Sequence, residues 1–292
     1  MIEDILTPHI SPRFASEEKY RLGHIRVINP LPEQKVLGLH IPDMKKIAAD
    51  LAASENREQI IQGFENVSTT TATGRDKKDM DSKDRNAGQL SHEEKTVWGL
   101  ILDKMKVPLE ERLEKFGKFV PAIDNWAICD TVCSEAKWAK KRVAGKSAAT
   151  GGNDRSWQEA HGNAKDTDDD TRRKIWEWLG KYYRSGREFE VRFAVVMSMC
   201  HFLEKEWLPR IFNAIEALDF DNIRSDYPET AVKGPSPYYL RMGVAWLLAT
   251  ALAKYPEETR DFVNRSRLPE NVIRLYKRKA RESFRTRNVP PL

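Results

Sequence analysis

Pro121-Ala-Ile-Asp-Asn-Trp-Ala-Ile-Cys-Asp130 starts a helix and sets a large aromatic and a carboxylate one turn apart on it. Proline cannot continue a preceding helix, and Asp124 or Asn125 just behind it can accept a hydrogen bond from an early helical N–H. From there Trp126 and Asp130 stand at i and i+4 on one face. Cys129, Cys133 and Ala136 recur at i, i+4 and i+7 on the adjoining stripe, which reads as the buried side and leaves Trp126 and Asp130 at its border.

Working outward, the segments before this one repeat the same grammar. Ser91-His-Glu-Glu94 has the spacing of a capping box and opens a helix through Val97, Trp98, Ile101, Leu102 and Met105. Pro108 separates it from a helix carrying Leu109, Leu113, Phe116, Phe119 and Val120. Three helices in tandem with short connections are the pattern of stacked helical pairs. Further upstream, helices are expected over 17–28, between flanking prolines, from Pro42 through Leu51, and briefly over 57–64. Downstream they are expected over 171–183, 188–203, 206–218, 237–255, 257–264 and 270–285. Strand signals are almost absent, and the paired-helix unit recurs at roughly 40 residues, within the HEAT range. The expectation is therefore an all-α, HEAT-like helical-repeat solenoid forming one domain over 1–292. Two polar stretches, 66–89 and 144–170, offer nothing to bury and read as mobile inserts.

Composition narrows the function classes. With 292 residues and 40% hydrophobic content the chain can bury a real core, as one large domain or a repeat array. Lys and Arg number 49 against 44 Asp and Glu, a net charge of +5. That excess is mild, so its concentration toward the C-terminal end matters more than its size. Three cysteines without a Cys-x-x-Cys motif argue against a disulfide framework and fit a reducing compartment. No signal peptide and no apolar run near the ~20 residues of a membrane span are legible, so a cytoplasmic protein without membrane attachment is expected. Cys129, Cys133, Cys200 and His201 could be assembled into a ligand set, but the first two fit the buried stripe and no second pair has zinc spacing. No metal and no cofactor are expected, and no Gly-rich phosphate loop, Gly-x-Ser-x-Gly or His-Glu-x-x-His is present.

Three features stand out from a bland core. Arg192 lies in Glu188-Phe-Glu-Val-Arg-Phe-Ala-Val-Val-Met197, apolar nearly all round past its first turn. Its guanidinium must snorkel outward or find an anion, either a structural carboxylate or Asp130, a phosphate, or both in turn. Trp246 has mostly small one-turn neighbours in Met242, Gly243, Ala249 and Thr250. It either fills a gap against a facing helix or stands proud as a stacking and cation–π surface. In the terminal helix Ile273, Tyr276, Ala280 and Phe284 form an apolar face, while Arg274, Arg278, Arg281 and Arg285 climb another at helical spacing. Such a ladder is either a solvated basic face or a phosphate-contacting one.

Taken together these segments resemble the AlkD-like family of DNA alkylation-repair proteins, all-helical HEAT-like DNA glycosylases. The resemblance is carried by Leu37-Gly-Leu-His-Ile-Pro-Asp-Met-Lys-Lys-Ile-Ala48, Phe119-Val-Pro-Ala-Ile-Asp-Asn-Trp-Ala-Ile-Cys-Asp130, Phe189-Glu-Val-Arg-Phe-Ala-Val-Val-Met197, and Met242-Gly-Val-Ala-Trp-Leu-Leu248 followed by Lys254-Tyr-Pro-Glu257. It spans most of the chain in the family's order, while the stretches 66–89 and 144–170 depart from it. It implies a concave basic cleft for double-stranded DNA with alkylated bases, and a monomeric protein. It also implies that Trp126 and Asp130 match the family's essential Trp and Asp, Arg192 its Arg, and Trp246 the second Trp of the cleft.

The activity so implied is monofunctional hydrolysis of the N-glycosidic bond of cationic N3- or N7-alkylated purines. Such a base leaves without general-acid help, so Asp130 need only offset the oxocarbenium-like sugar and orient water, with Trp126 and Trp246 facing the cationic nucleotide and Arg192 holding Asp130 and a phosphate. Some members of the family lack glycosylase activity. The competing expectations are a non-catalytic binder of damaged or branched DNA, and a HEAT-type protein-interaction scaffold.

Overall fold

The computed structural model describes residues 2–73, 89–140 and 166–292. Prolines and capping residues cut these into fourteen α-helices, with no strand among the described residues and a single isolated bridge pairing Arg187 with Arg224. The first three are α1 (Ile2–Leu6), α2 (Pro12–Ser16) and α3 (Glu18–Ile28). Then come α4 (Ile41–Ala53), α5 (Arg57–Thr73), α6 (His92–Lys104), α7 (Leu109–Phe119) and α8 (Trp126–Glu135). The second half holds α9 (Asp166–Tyr183), α10 (Glu188–His201), α11 (Leu208–Glu216), α12 (Tyr238–Lys254), α13 (Pro256–Arg265) and α14 (Glu270–Glu282). The all-helical expectation is met.

Helix boundaries follow local chemistry. Ser91 accepts from the Glu94 N–H at 3.2 Å while the Glu94 carboxylate accepts from the Ser91 N–H at 2.7 Å, the reciprocal capping box that starts α6. Pro42 sits in the first turn of α4, where its missing N–H costs nothing. Alternate helices then pack side by side in chain order: α4 on α6, α6 on α8, α8 on α10, α10 on α12 and α12 on α14. The intervening helices lie against this row, with α5 and α7 on α6, α9 on α10 and α13 on α12. Hence α10, with neighbours on both sides and behind, is buried almost all round, as its sequence suggests.

The core is continuous along the row. Trp98 of α6 is fully buried, stacked on Phe64 at 5.7 Å and edge-on to Phe119 at 5.2 Å, so one ring ties α5 and α7 to the row. Gly99 lets α6 approach α8 and α7, because a Cβ there would lie 2.5 Å from Val132 and 2.6 Å from Phe119. Truncating a ring so enclosed costs roughly 3–5 kcal/mol.

Four local expectations are corrected. The helix starting at Arg57 does not stop near Phe64 but runs to Thr73, since Val67 still packs on the core and Glu65 is held by Lys118 at 3.0 Å. The acidic run before Thr171 is helical, so α9 starts at Asp166, and the carboxylates of Asp168 and Asp169 in its first turn complement the positive end of the helix dipole. The terminal helix ends at Glu282, because the Thr286 hydroxyl bonds back to the Ala280 carbonyl at 2.7 Å and closes a turn. That turn places Arg285 beyond the helix and leaves Phe284, expected on the apolar face, 76% exposed. Of the two expected mobile inserts, 74–88 and 141–165 lie outside the described residues. No described helix is long and apolar enough to cross a membrane.

Candidate functional site

The start of α8 is fixed from several directions. Of the two capping candidates it is Asn125 that acts: its side-chain oxygen accepts from the Ala127 N–H at 2.8 Å. Asp124 instead pairs with Lys95. The Asn125 amide donates to the carbonyls of Ile28 and Asn29 at 3.1 and 3.3 Å and to the Tyr227 hydroxyl at 3.0 Å. Asn29 caps α3 in the left-handed region with φ 48°, which lets one turn offer its carbonyl to Asn125 and its side chain to Tyr239. Trp126 is half-buried, and its indole N–H donates to the Ile28 carbonyl at 2.8 Å, which holds the ring in one orientation.

One turn on, Asp130 meets Arg192 across the α8–α10 contact. Asp130 Oδ1 accepts from Arg192 Nε at 3.1 Å and Nη2 at 2.9 Å, and Oδ2 accepts from Nη2 at 2.8 Å. The Arg192 side chain is 5% exposed and that of Asp130 16%, so the pair is sheltered while the carboxylate keeps an edge toward solvent. Burial opposes the Arg192 charge, but Asp130 foremost, together with Cys129 and Glu188, outweighs it and raises the guanidinium pKa. Arg192 Nη1 donates in addition to the Tyr239 carbonyl of α12.

Three residues that the spacing argument passed over hold this pair in place. Gly243 leaves room for the guanidinium, since a Cβ there would sit 3.1 Å from Arg192 Nη1. Glu188, buried on α10, accepts from the Tyr239 and Leu240 N–H groups at 2.6 and 3.0 Å, thereby capping α12. Burial raises the Glu188 pKa against those hydrogen bonds. Tyr239 packs on Phe189 and Tyr227, and so anchors the carbonyl that Arg192 uses. Only Gly243 carried a legible signal, as a helix-weakening residue beside Trp246.

Trp246 lies on α12, the next helix of the row, and is 38% exposed. Val244, Leu247, Leu248 and Leu252 of the same helix are all buried, so the indole is turned away from the core. On α14, Arg274, Arg278 and Arg281 are exposed, as is Arg285 beyond its end. Arg278 Nη2 lies 3.5 Å from the Met242 sulfur, one turn from Trp246, which sets the ladder beside the α12 face. The proposed residues therefore fall on consecutive helices of one row, with Asp130 and Arg192 in direct contact.

The cysteine-histidine set does not assemble. Cys129 and Cys133 are buried, and the buried His201 engages the Cys133 carbonyl through Nε2 at 2.7 Å. No metal-competent cluster of His, Cys, Asp or Glu is found among the described residues. No family model, no curated protein and no solved structure matches this chain.

Proposed function

We propose that the chain is a HEAT-like solenoid whose α4–α6–α8–α10–α12–α14 row faces duplex DNA, and that it hydrolyses the N-glycosidic bond of cationic N-alkylated purines. The observation that carries this reading is the sheltered Asp130–Arg192 pair, flanked by two partly exposed tryptophans, Trp126 one turn earlier on α8 and Trp246 on α12, and by an arginine ladder on α14.

A carboxylate held by three hydrogen bonds from a guanidinium is a well-positioned negative charge. That suits a substrate whose leaving group already bears positive charge, because the step needs no acid. The C–N bond breaks with its electron pair going to the purine, which leaves as a neutral base. Asp130 stabilises the oxocarbenium-like sugar and orients water, whose oxygen forms the new bond and whose proton goes to solvent. Trp126 and Trp246 present π faces to the cationic nucleotide, each worth roughly 0.5–2 kcal/mol when desolvated. Arg274, Arg278, Arg281 and Arg285 supply phosphate contacts.

A second reading is favoured by the same salt bridge: Asp130 is a structural partner of Arg192, and the protein binds damaged or branched DNA without chemistry. Single-turnover release of alkylpurine from methylated duplex DNA separates the two. Release that is lost in Asp130→Asn supports excision; no release by the wild-type protein sinks it and leaves binding.

A further inference from the structure

The buried stripe of α14 stops one position short. Val272, Tyr276 and Ala280 follow one another at helical spacing and are all buried, and Phe284 is the next residue of that series, yet it is 76% exposed. One more helical turn would carry its ring along the buried stripe. Instead α14 ends at Glu282, and the buried Thr286 hydroxyl donates to the Ala280 carbonyl at 2.7 Å. The Thr286 and Arg287 N–H groups donate to the Ser283 carbonyl at 3.1 and 2.8 Å, and the Tyr276 hydroxyl donates to the Pro291 carbonyl at 2.8 Å, so the returning chain is tied to the helix. Phe284 is held outward on an anchored turn.

A single exposed apolar residue needs no explanation by itself. The surroundings of this one do. Arg281, Arg285 and Arg287 flank it along the chain, are exposed, and have no ion-pair partner among the described residues. The Arg285 guanidinium lies 5.7 Å from the centre of the ring. Glu282, the one acidic side chain of residues 278–292, is engaged by Arg278 at 3.6 Å and Lys279 at 3.1 Å. An outward ring among uncommitted guanidinium groups matches a polyanion that also offers flat apolar faces. Nucleic acid supplies both, phosphates for the arginines and a base for the ring. An acidic protein surface supplies the charge alone. Within a fully paired duplex the base faces cover one another, so the ring reaches one only where stacking is interrupted.

We propose that Phe284 stacks on a base unstacked from duplex DNA, with Arg281, Arg285 and Arg287 on the flanking phosphates. Arg281 is the last rung of the helical ladder, so the contact continues that basic surface past the end of α14. Selection of duplexes with interrupted stacking is the consequence. The inference rests on the DNA-binding part of the proposed function and not on excision.

The probes are two end-labelled, unalkylated duplexes of equal length, one fully paired and one with a single-nucleotide bulge at its centre, titrated by fluorescence anisotropy with the full chain. Wild type is expected to prefer the bulged duplex by roughly tenfold, within the range that base–aromatic stacking spans. Phe284→Ala should bind the two alike. Its melting temperature should match wild type, because a ring so exposed carries little packing, and its slope of log affinity against log salt should be unchanged, because no charge is removed. Phe284→Trp should keep the preference. A wild type without preference, or a preference that survives in Phe284→Ala, overturns the proposal and leaves the DNA reading standing. Absence of any duplex binding by wild type overturns both, while excision enters neither probe.

Discussion

Asp130→Asn is the most informative perturbation, because the structure specifies what the amide keeps. Oδ1 can still accept from Arg192 Nε and Nη2 at 3.1 and 2.9 Å, but the group replacing Oδ2 becomes a donor facing the donor Nη2 now at 2.8 Å. One charge-assisted hydrogen bond is lost and a guanidinium that is 5% exposed loses its counter-charge. Removing one partner of a fully buried pair costs ~3–5 kcal/mol; with the carboxylate edge reaching solvent, about 2–3 kcal/mol is expected here. The fold should survive, since α8 retains its Asn125 cap and its buried Ile128, Cys129, Val132 and Cys133. Chemistry should suffer more than folding. Loss of ~3–4 kcal/mol of transition-state stabilisation slows excision by roughly two to three orders of magnitude, with little loss of DNA affinity. The assay is single-turnover excision on duplex DNA carrying a cationic N-alkylpurine, run beside a binding titration and a denaturation curve. Equal excision rates in wild type and variant would refute the catalytic role, and an unchanged denaturation midpoint would refute the reasoning about the pair.

Gly243→Ala should cut excision by roughly tenfold with stability near wild type, because the new methyl crowds Arg192 Nη1 at 3.1 Å while alanine favours the helix by up to ~1 kcal/mol; wild-type kinetics would show that Gly243 does not position the guanidinium. Replacing Arg274 and Arg278 by Ala should weaken duplex binding for all sequences alike and reduce the slope of log affinity against log salt by about 1.8, at ~0.9 per phosphate contact. An unchanged slope would move the DNA contact to another face. For His92, burial lowers the folded pKa to about 3 from 6.5, so the unfolded chain takes up a proton that the folded chain refuses as pH falls from 6.5 toward 3. Stability is therefore lost on acidification, by ~2 kcal/mol between pH 7 and pH 5. His92→Gln, compared with wild type in urea denaturation at both pH values, should show a drop smaller by that amount.

Local chemistry in the sequence determined the helices. Capping-box spacing at Ser91, prolines at 42, 108 and 121, and the i, i+4, i+7 stripe of Cys129, Cys133 and Ala136 are short-range signals, and the helices start and bury as they indicate. The same logic showed that Arg192, in an apolar helix, must snorkel outward or find an anion. Which anion it finds was decided by tertiary structure, because Asp130 is 62 positions away and only the packing of α8 against α10 brings the two within hydrogen-bond reach. The tasks of Gly243, Glu188 and Asn29 were not legible for a related reason: they are to leave space, cap a helix of distant sequence, or turn a carbonyl toward another segment, and none has a periodicity of its own. Boundaries failed where the polar pattern was ambiguous: α5 runs on to Thr73 with Glu65 held by a distant lysine, α9 starts at Asp166 with Asp168 and Asp169 in its first turn facing the helix dipole, and Phe284 leaves its face because one hydroxyl bonds back to a carbonyl. Periodicity reports which side of a helix is apolar; what stands against that side depends on contacts that exist only once the chain has closed on itself.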